Sequence, residues 1–169
     1  MKPWGDEATL EWADLPLNPM GRVPVLVHGD VVLTESFAIC TWLADRERRL
    51  IPAPGSPERG VHDRWMFFCA TELDAPLWRI RRNKLLLPEE QRVEEDIPRA
   101  MADFREAAGI LQAGLGEFVV GGAFTVADIV IAHTLFWSTW NDLLEGFPRL
   151  QEYLERQLRR PGCPEVMRR

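Results

Sequence analysis

The residues best placed to do chemistry stand where a short β-branched run, a tight turn and a second run give way to a helix opening with Thr34-Glu35-Ser36. A helix N-terminus presents backbone N–H groups that have no intrahelical acceptor, together with a partial positive charge. Ser36 with its own amide is therefore a cradle for a carboxylate. Glu35 beside it can receive an ammonium group, and the two together suit a free amino-acid end, which carries both charges on one carbon. The same residues also have a purely structural reading, in which Thr34 or Ser36 caps the helix and Glu35 complements its dipole. Val23-Pro24 adds to the first reading. A proline opening a strand cannot donate to a ladder, and a cis Val23–Pro24 bond turns the Val23 backbone outward, leaving its N–H and C=O free to pair with an extended peptide.

The elements that must position these residues follow from pattern. Val23-Pro24-Val25-Leu26-Val27 and Val31-Val32-Leu33, separated by His28-Gly29-Asp30, spell a hairpin. From Glu35 to about Arg46, Phe37, Cys40, Leu43 and Ala44 recur at helical spacing, with Ile39 and Trp42 widening the face. Upstream, Asp6 to Ala13 reads as a short helix ended by the Leu15-Pro16 and Asn18-Pro19 turns. Ile51 to Pro57 holds three prolines and a glycine in seven residues, which forbids regular structure and prepares a helix start.

Beyond that linker the chain predicts only helices. The first starts at Ser56-Pro57 and keeps Val61, Trp65, Phe68, Cys69, Leu73, Leu77 and Ile80 in one stripe through a kink at Pro76. A second follows Pro88, with Val93, Ile97, Met101, Phe104, Ala108, Leu111 and Leu115 on its apolar face and Pro98 bending or breaking it. A third, central and buried, starts at Thr125, where Asp128 completes a capping box and Phe124 with Ile129 can form a hydrophobic staple. The last runs from about Pro148 to Arg159, burying Leu150, Leu154 and Leu158 around Tyr153. The division is a first domain over 1–50, a linker over 51–57 and an all-helical domain over 58–169.

Composition narrows the function classes. The 169 residues are 46% apolar, and 20 basic against 26 acidic side chains give a net charge of −6 with no basic strip to track phosphates. Nucleic acid is therefore not an expected partner. No apolar run approaches the roughly 18 residues that span a bilayer, and no signal-like segment opens the chain, so the reading is a cytoplasmic protein without membrane association. Cys40, Cys69 and Cys163 are too few and too scattered for a disulfide framework, and together with His28, His62 and His133 they offer no metal-ligand spacing. No metal is expected.

Leu17-Asn18-Pro19-Met20-Gly21-Arg22-Val23-Pro24-Val25-Leu26 followed by Leu33-Thr34-Glu35-Ser36-Phe37-Ala38-Ile39 resembles the glutathione transferase pattern across a thioredoxin-like domain. Residues 119 to 130, and Phe147-Pro148-Arg149-Leu150 through Arg160-Pro161, are similar to that family's helical domain. The resemblance implies an α+β protein, with a partial thioredoxin-like domain followed by an all-α domain. It implies that Glu35 and Ser36 hold the γ-glutamyl end of glutathione, that Val23 ahead of a cis Pro24 pairs with the cysteinyl backbone, and that Arg22 reaches the glycyl carboxylate. It further implies glutathione as a substrate conjugated to small hydrophobic electrophiles, and a homodimer. Trp65, Phe68 and Trp137 are candidate walls for the electrophile, with core packing as the other role open to each.

The family lowers the pKa of the glutathione thiol, usually with a Ser, Cys or Tyr just after the first strand; a thiol near pKa 8.5 is only a few per cent ionised at pH 7. That donor precedes a complete βαβ unit of about 30 residues, whereas 22 residues lie before Val23 here. The expectation is a chain truncated at its N-terminus, its first βαβ unit missing and its catalytic residue unassigned. Thr9 offers the only hydroxyl in that stretch, and Tyr153 reads as packing. A strand left without its neighbour presents an apolar ladder edge. Catalysis by this chain alone is expected to be weak or absent, which leaves two alternatives: a non-catalytic interaction module, or a glutathione-dependent reductase or isomerase.

Overall fold

The structure is a computed structural model and describes residues 17–168. The helix expected over Asp6 to Ala13, and Thr9, lie outside the described residues. The first elements are two short strands, β1 (Val25–His28) and β2 (Val31–Thr34), paired antiparallel with Val25 opposite Thr34 and His28 opposite Val31. Gly29 turns the chain between them at φ +58°, a left-handed conformation that favours glycine in a two-residue hairpin loop. Val27, Val31 and Val32 are exposed, so the hairpin contributes little to the core.

Helix α1 (Ser36–Glu47) buries Ile39 and Ala44 and packs Phe37 and Cys40 against the main core. At the hairpin tip, His28 Nδ1 lies 3.3 Å from Arg46 Nη1 and its ring sits 5.5 Å from Trp42, which fastens the tip to the C-terminal half of α1.

The helical part opens with a rod. Helix α2 (Pro57–Phe68), capped by Ser56 Oγ accepting the Arg59 amide at 3.1 Å, runs into a π-helical stretch (Cys69–Asp74), then α3 (Ala75–Arg81), then a second π-helical stretch (Arg82–Leu86). Pro76 has no amide to bond the carbonyl four residues back, and its ring needs room there. The wide turns just before it supply that room, and the helix continues instead of breaking. Trp65, Cys69, Leu73, Leu77 and Ile80 are buried as expected, while Val61 faces solvent.

The next helix departs from expectation. Pro88 is followed only by a single turn at Glu89–Gln91, and α4 (Asp96–Gly114) starts at Asp96. Pro98 is thus the third residue of α4, in the first turn where no N–H is bonded within the helix, so it neither bends nor breaks it. The 87–95 connection is fixed from outside. Asn83 Oδ1 accepts the Val93 amide at 2.9 Å, and Arg79 pairs with Asp96 and Asp103, its Nε reaching Asp96 Oδ2 at 3.1 Å. Val93 itself is exposed. Where α4 ends, Gly114 lies against Trp65 so closely that a Cβ would stand 2.9 Å from Cζ2 of the indole.

Helix α5 (Val126–Ser138) is the centre of the core, burying nine of its thirteen residues between α2, the rod and α6 (Pro148–Leu158). Its start is the expected capping box, with the Thr125 amide donating to Asp128 Oδ2 at 2.8 Å. Asp128 does more than cap. Fully buried, it also accepts the Val119 amide at 3.0 Å and the Tyr153 hydroxyl at 2.8 Å, and so joins the 119–125 loop, α5 and α6. Burial and the neighbouring Asp128 push the Tyr153 phenol far above its ordinary pKa. No helix among the described residues is long and apolar enough to cross a membrane.

Candidate functional site

The site forms at the open end of the hairpin, away from its tip. Because Val25 pairs with Thr34, the residues flanking the ladder on that side are Val23-Pro24 on one strand and Glu35-Ser36 on the other. The preceding loop is built by Asn18, which is buried. Its side-chain oxygen accepts the Met20 amide at 2.9 Å, its Nδ2 donates to the Arg22 carbonyl at 2.6 Å, and its own carbonyl accepts the Gly21 amide at 2.8 Å. This Asx-type turn delivers Arg22 and Val23 to the hairpin in one fixed direction. Asn18 was legible as a turn residue from Asn18-Pro19, but not as the clamp on Arg22.

The Val23–Pro24 peptide is cis. Val23 is 42% exposed, and among the described residues neither its amide nor its carbonyl has a hydrogen-bond partner. Arg22 and Pro24 are exposed as well.

Glu35 is the N-cap residue of α1, with φ +70° and ψ +113°, and its carbonyl accepts the first helical bond, from Ile39 at 2.9 Å. No side chain caps this helix, in contrast to the structural reading of Thr34 or Ser36. The amides of Ser36, Phe37 and Ala38 precede that first bond and so have no acceptor within the helix. Glu35 and Ser36 are both exposed. Positive φ on a non-glycine residue costs on the order of 1–3 kcal/mol and persists where the surroundings impose it, at active sites, ligand clamps and switch regions among other places; Arg48, Leu50 and Asp142 adopt it here too. The corner thus presents an exposed carboxylate, a hydroxyl and a helix N-terminus side by side, with an unpaired backbone segment next to them. Chemically it can hold a zwitterion on one side and an extended peptide on the other.

Of the three aromatic candidates, Trp65 and Phe68 touch one another, and Trp137 packs against Trp78. Trp65 is 2% exposed, in the core against Gly114 and edge-to-face with Phe68 at 5.3 Å. Phe68 lines a cleft of about 340 Å³ between the rod and α4, beside Glu72, Arg79 and Asp103. Trp137 meets Trp78 edge-to-face at 5.3 Å. Of the cysteines, Cys69 is fully buried and its thiol is pushed up to about 12 by burial, while burial also raises that of the half-buried Cys40. Among the described residues no three His, Cys, Asp or Glu side chains converge to hold a metal ion.

Two family models match the chain in order: the N-terminal domain of glutathione S-transferase over residues 1–46 and its C-terminal domain over residues 90–156. The chain belongs to the glutathione S-transferase family. Glutathione S-transferase Z2 of Arabidopsis thaliana is 29% identical over 161 residues, covering 89% of this chain and 69% of that protein. Elongation factor 1-gamma 3 of Oryza sativa subsp. japonica is 26% identical over 160 residues, which are 90% of this chain. The chain spans 38% of the length of that protein and of its two elongation factor 1-gamma paralogues. Among solved structures, the bacterial glutathione transferase BphK in a ternary complex superposes with a TM-score of 0.80 at 29% identity, covering 91% of this chain and 76% of that one. A sphingomonad glutathione S-transferase complexed with glutathione gives 0.78 at 25% identity over the same shares. The hairpin with its helix, followed by the helical bundle, is the glutathione S-transferase architecture.

Proposed function

We propose that this chain binds glutathione at the α1 corner, with Glu35 and Ser36 holding the γ-glutamyl end. The unpaired Val23 backbone then carries the cysteinyl segment, and Arg22 faces the glycyl carboxylate. The observation that carries this reading is Glu35 itself, a strained, exposed N-cap whose helix has no side-chain cap and whose first amides are unfilled. A carboxylate bound there accepts those amides, and Glu35 neutralises the ammonium on the same carbon. In the family the bound thiol is conjugated to a small hydrophobic electrophile, and this is the reaction class of the proposal, in the cytoplasm and as a homodimer, with catalysis by this chain alone expected to be weak or absent. At the described corner the hydroxyls are those of Thr34 and Ser36. Tyr153 is committed to Asp128, so the thiol activator is not assigned among the described residues.

Titration calorimetry of the full chain tests the anchor with two probes, glutathione and the dipeptide Cys-Gly, which lacks the γ-glutamyl zwitterion. The expected result is binding of glutathione with Cys-Gly weaker by tenfold or more. Equal binding of the two would place the anchor elsewhere.

A second reading is favoured by the elongation factor 1-gamma relatives, which match 90% of this chain in sequence. Here the chain is an interaction module whose corner is vestigial. Retention on immobilised glutathione, reversed by free glutathione, separates it from the first reading.

A further inference from the structure

The corner sits at one end of α1, and the only charge-paired contact of that helix with the helical domain among the described residues is at the other end. Arg59, in the first turn of α2, reaches across the Pro-rich linker to Asp45. Nη1 donates to Oδ1 at 2.7 Å and Nη2 to Oδ2 at 2.8 Å, while Nε donates to Asp63 at 2.9 and 3.2 Å within its own helix. The guanidinium side chain is only 15% exposed. Ala44, Phe37 and Cys40 of α1 pack against the apolar core of the bundle. Those apolar contacts hold α1 against the bundle and supply no charged or hydrogen-bonded restraint of their own. A bidentate fork on a carboxylate is directional. Over nine residues from Ser36 to Asp45 the helix is about 14 Å long, so a turn at its far end is carried rigidly to the corner.

We propose that Arg59 is a positioning residue for the glutathione site, fixing through Asp45 the direction in which the Glu35–Ser36 end of α1 faces. This rests on the function proposed above. Arg59 grips two carboxylates, one on each side of the linker, which gives the test its control. A role confined to α2 stability would depend on Asp63, whereas positioning depends on Asp45.

The experiment measures glutathione affinity by calorimetry, thermal midpoint, and amide exchange across α1 and α5 for the parent, Asp45→Asn, Asp63→Asn and Asp45→Glu. The expected result for Asp45→Asn is about fivefold weaker glutathione binding, with faster exchange along α1 and unchanged exchange in α5. Asp63→Asn should bind as the parent does, and Asp45→Glu, which restores the carboxylate, should recover most of the affinity. A parent that binds glutathione while Asp45→Asn binds equally well overturns this inference alone, as does an equal loss from Asp63→Asn. A parent that does not bind glutathione overturns the proposed function and this inference with it.

Discussion

Helices α1 and α5 both begin with an acid and a hydroxyl within four residues, and the two beginnings are finished in opposite ways. At α5, Thr125 and Asp128 are buried, and Asp128 accepts from Val119, Thr125 and Tyr153, so the orphan donors around that turn are satisfied by the chain itself. At α1, Glu35 and Ser36 are exposed, no side chain caps the helix, and Glu35 holds a backbone conformation that costs energy. The residue types alone do not separate a folding element from a binding element. What separates them is whether the polar groups are already paired once the chain has folded.

The largest expected effect breaks the α5 side of this contrast. Asp128→Ala leaves two backbone amides and a phenol buried without an acceptor, each costing about 1–3 kcal/mol. We expect a loss of about 3–5 kcal/mol in urea unfolding, or a chain that does not fold, with any folded fraction still binding glutathione. The mirror experiment is Ser36→Ala. It should weaken glutathione binding by about 1.5–3 kcal/mol, the range for hydrogen bonds to charged groups, while leaving unfolding within about 0.5 kcal/mol of the parent. Calorimetry and denaturant titration on the same preparations check both halves, and a Ser36→Ala protein that binds as its parent does would remove the anchor.

A third carboxylate sharpens the comparison. Asp74 is partly buried, where Asp128 is fully enclosed, and it lacks that set of amides; burial pushes its carboxyl up to about 6, only partly opposed by a hydrogen bond from Trp78. Because the folded value lies above the ordinary one, the stability contributed by protonated Asp74 is complete below about pH 4 and is lost as the pH rises through about 6. Asp45 and Asp96 run the other way. Hydrogen bonds from Arg59 and Arg79 hold them below the usual carboxylate range, and their contribution disappears on acidification. Asp74→Asn should therefore be more stable than the parent by on the order of 1–2 kcal/mol at pH 7, with the advantage vanishing below about pH 4. Thermal melts of the two proteins between about pH 3.5 and about pH 7.5 decide it.

What was legible in the sequence was local. The hairpin, the helix after it and the capping box at Thr125 and Asp128 depend on residues no more than a few positions apart, and the turn chemistry and period state them directly. The later start of α4 was not legible, because the 87–95 connection is fixed by Asn83 and Arg79 from the preceding rod, and no local signal distinguishes Pro98 in a first turn from Pro98 in a helix interior. Asp128 was legible as a cap but not as a hub, since Tyr153 lies 25 residues away. At the corner, the residue types pointed to Glu35 and Ser36. That Glu35 would sit at positive φ, and that Asn18 would clamp Arg22, are properties of the folded backbone.

The smallest effect on stability is also the sharpest test of the contrast, because its sign differs between stability and binding. At Glu35 a side chain is kept where φ is +70°, a region that glycine tolerates far better. Replacing it with glycine removes a Cβ from a strained position, which opposes the extra entropy glycine loses on folding, about 0.5–1 kcal/mol. If the strain at Glu35 exceeds that entropy, Glu35→Gly folds with a stability equal to the parent or up to about 1 kcal/mol greater. It also loses the only carboxylate among the described residues of the corner, so glutathione binding falls while stability does not. An ordinary cap would behave otherwise, losing a little stability and no binding when its side chain is removed. Unfolding and binding measured on this one variant therefore show whether the chain bears that strain for the sake of a ligand, as expected if α1 is finished only when glutathione arrives.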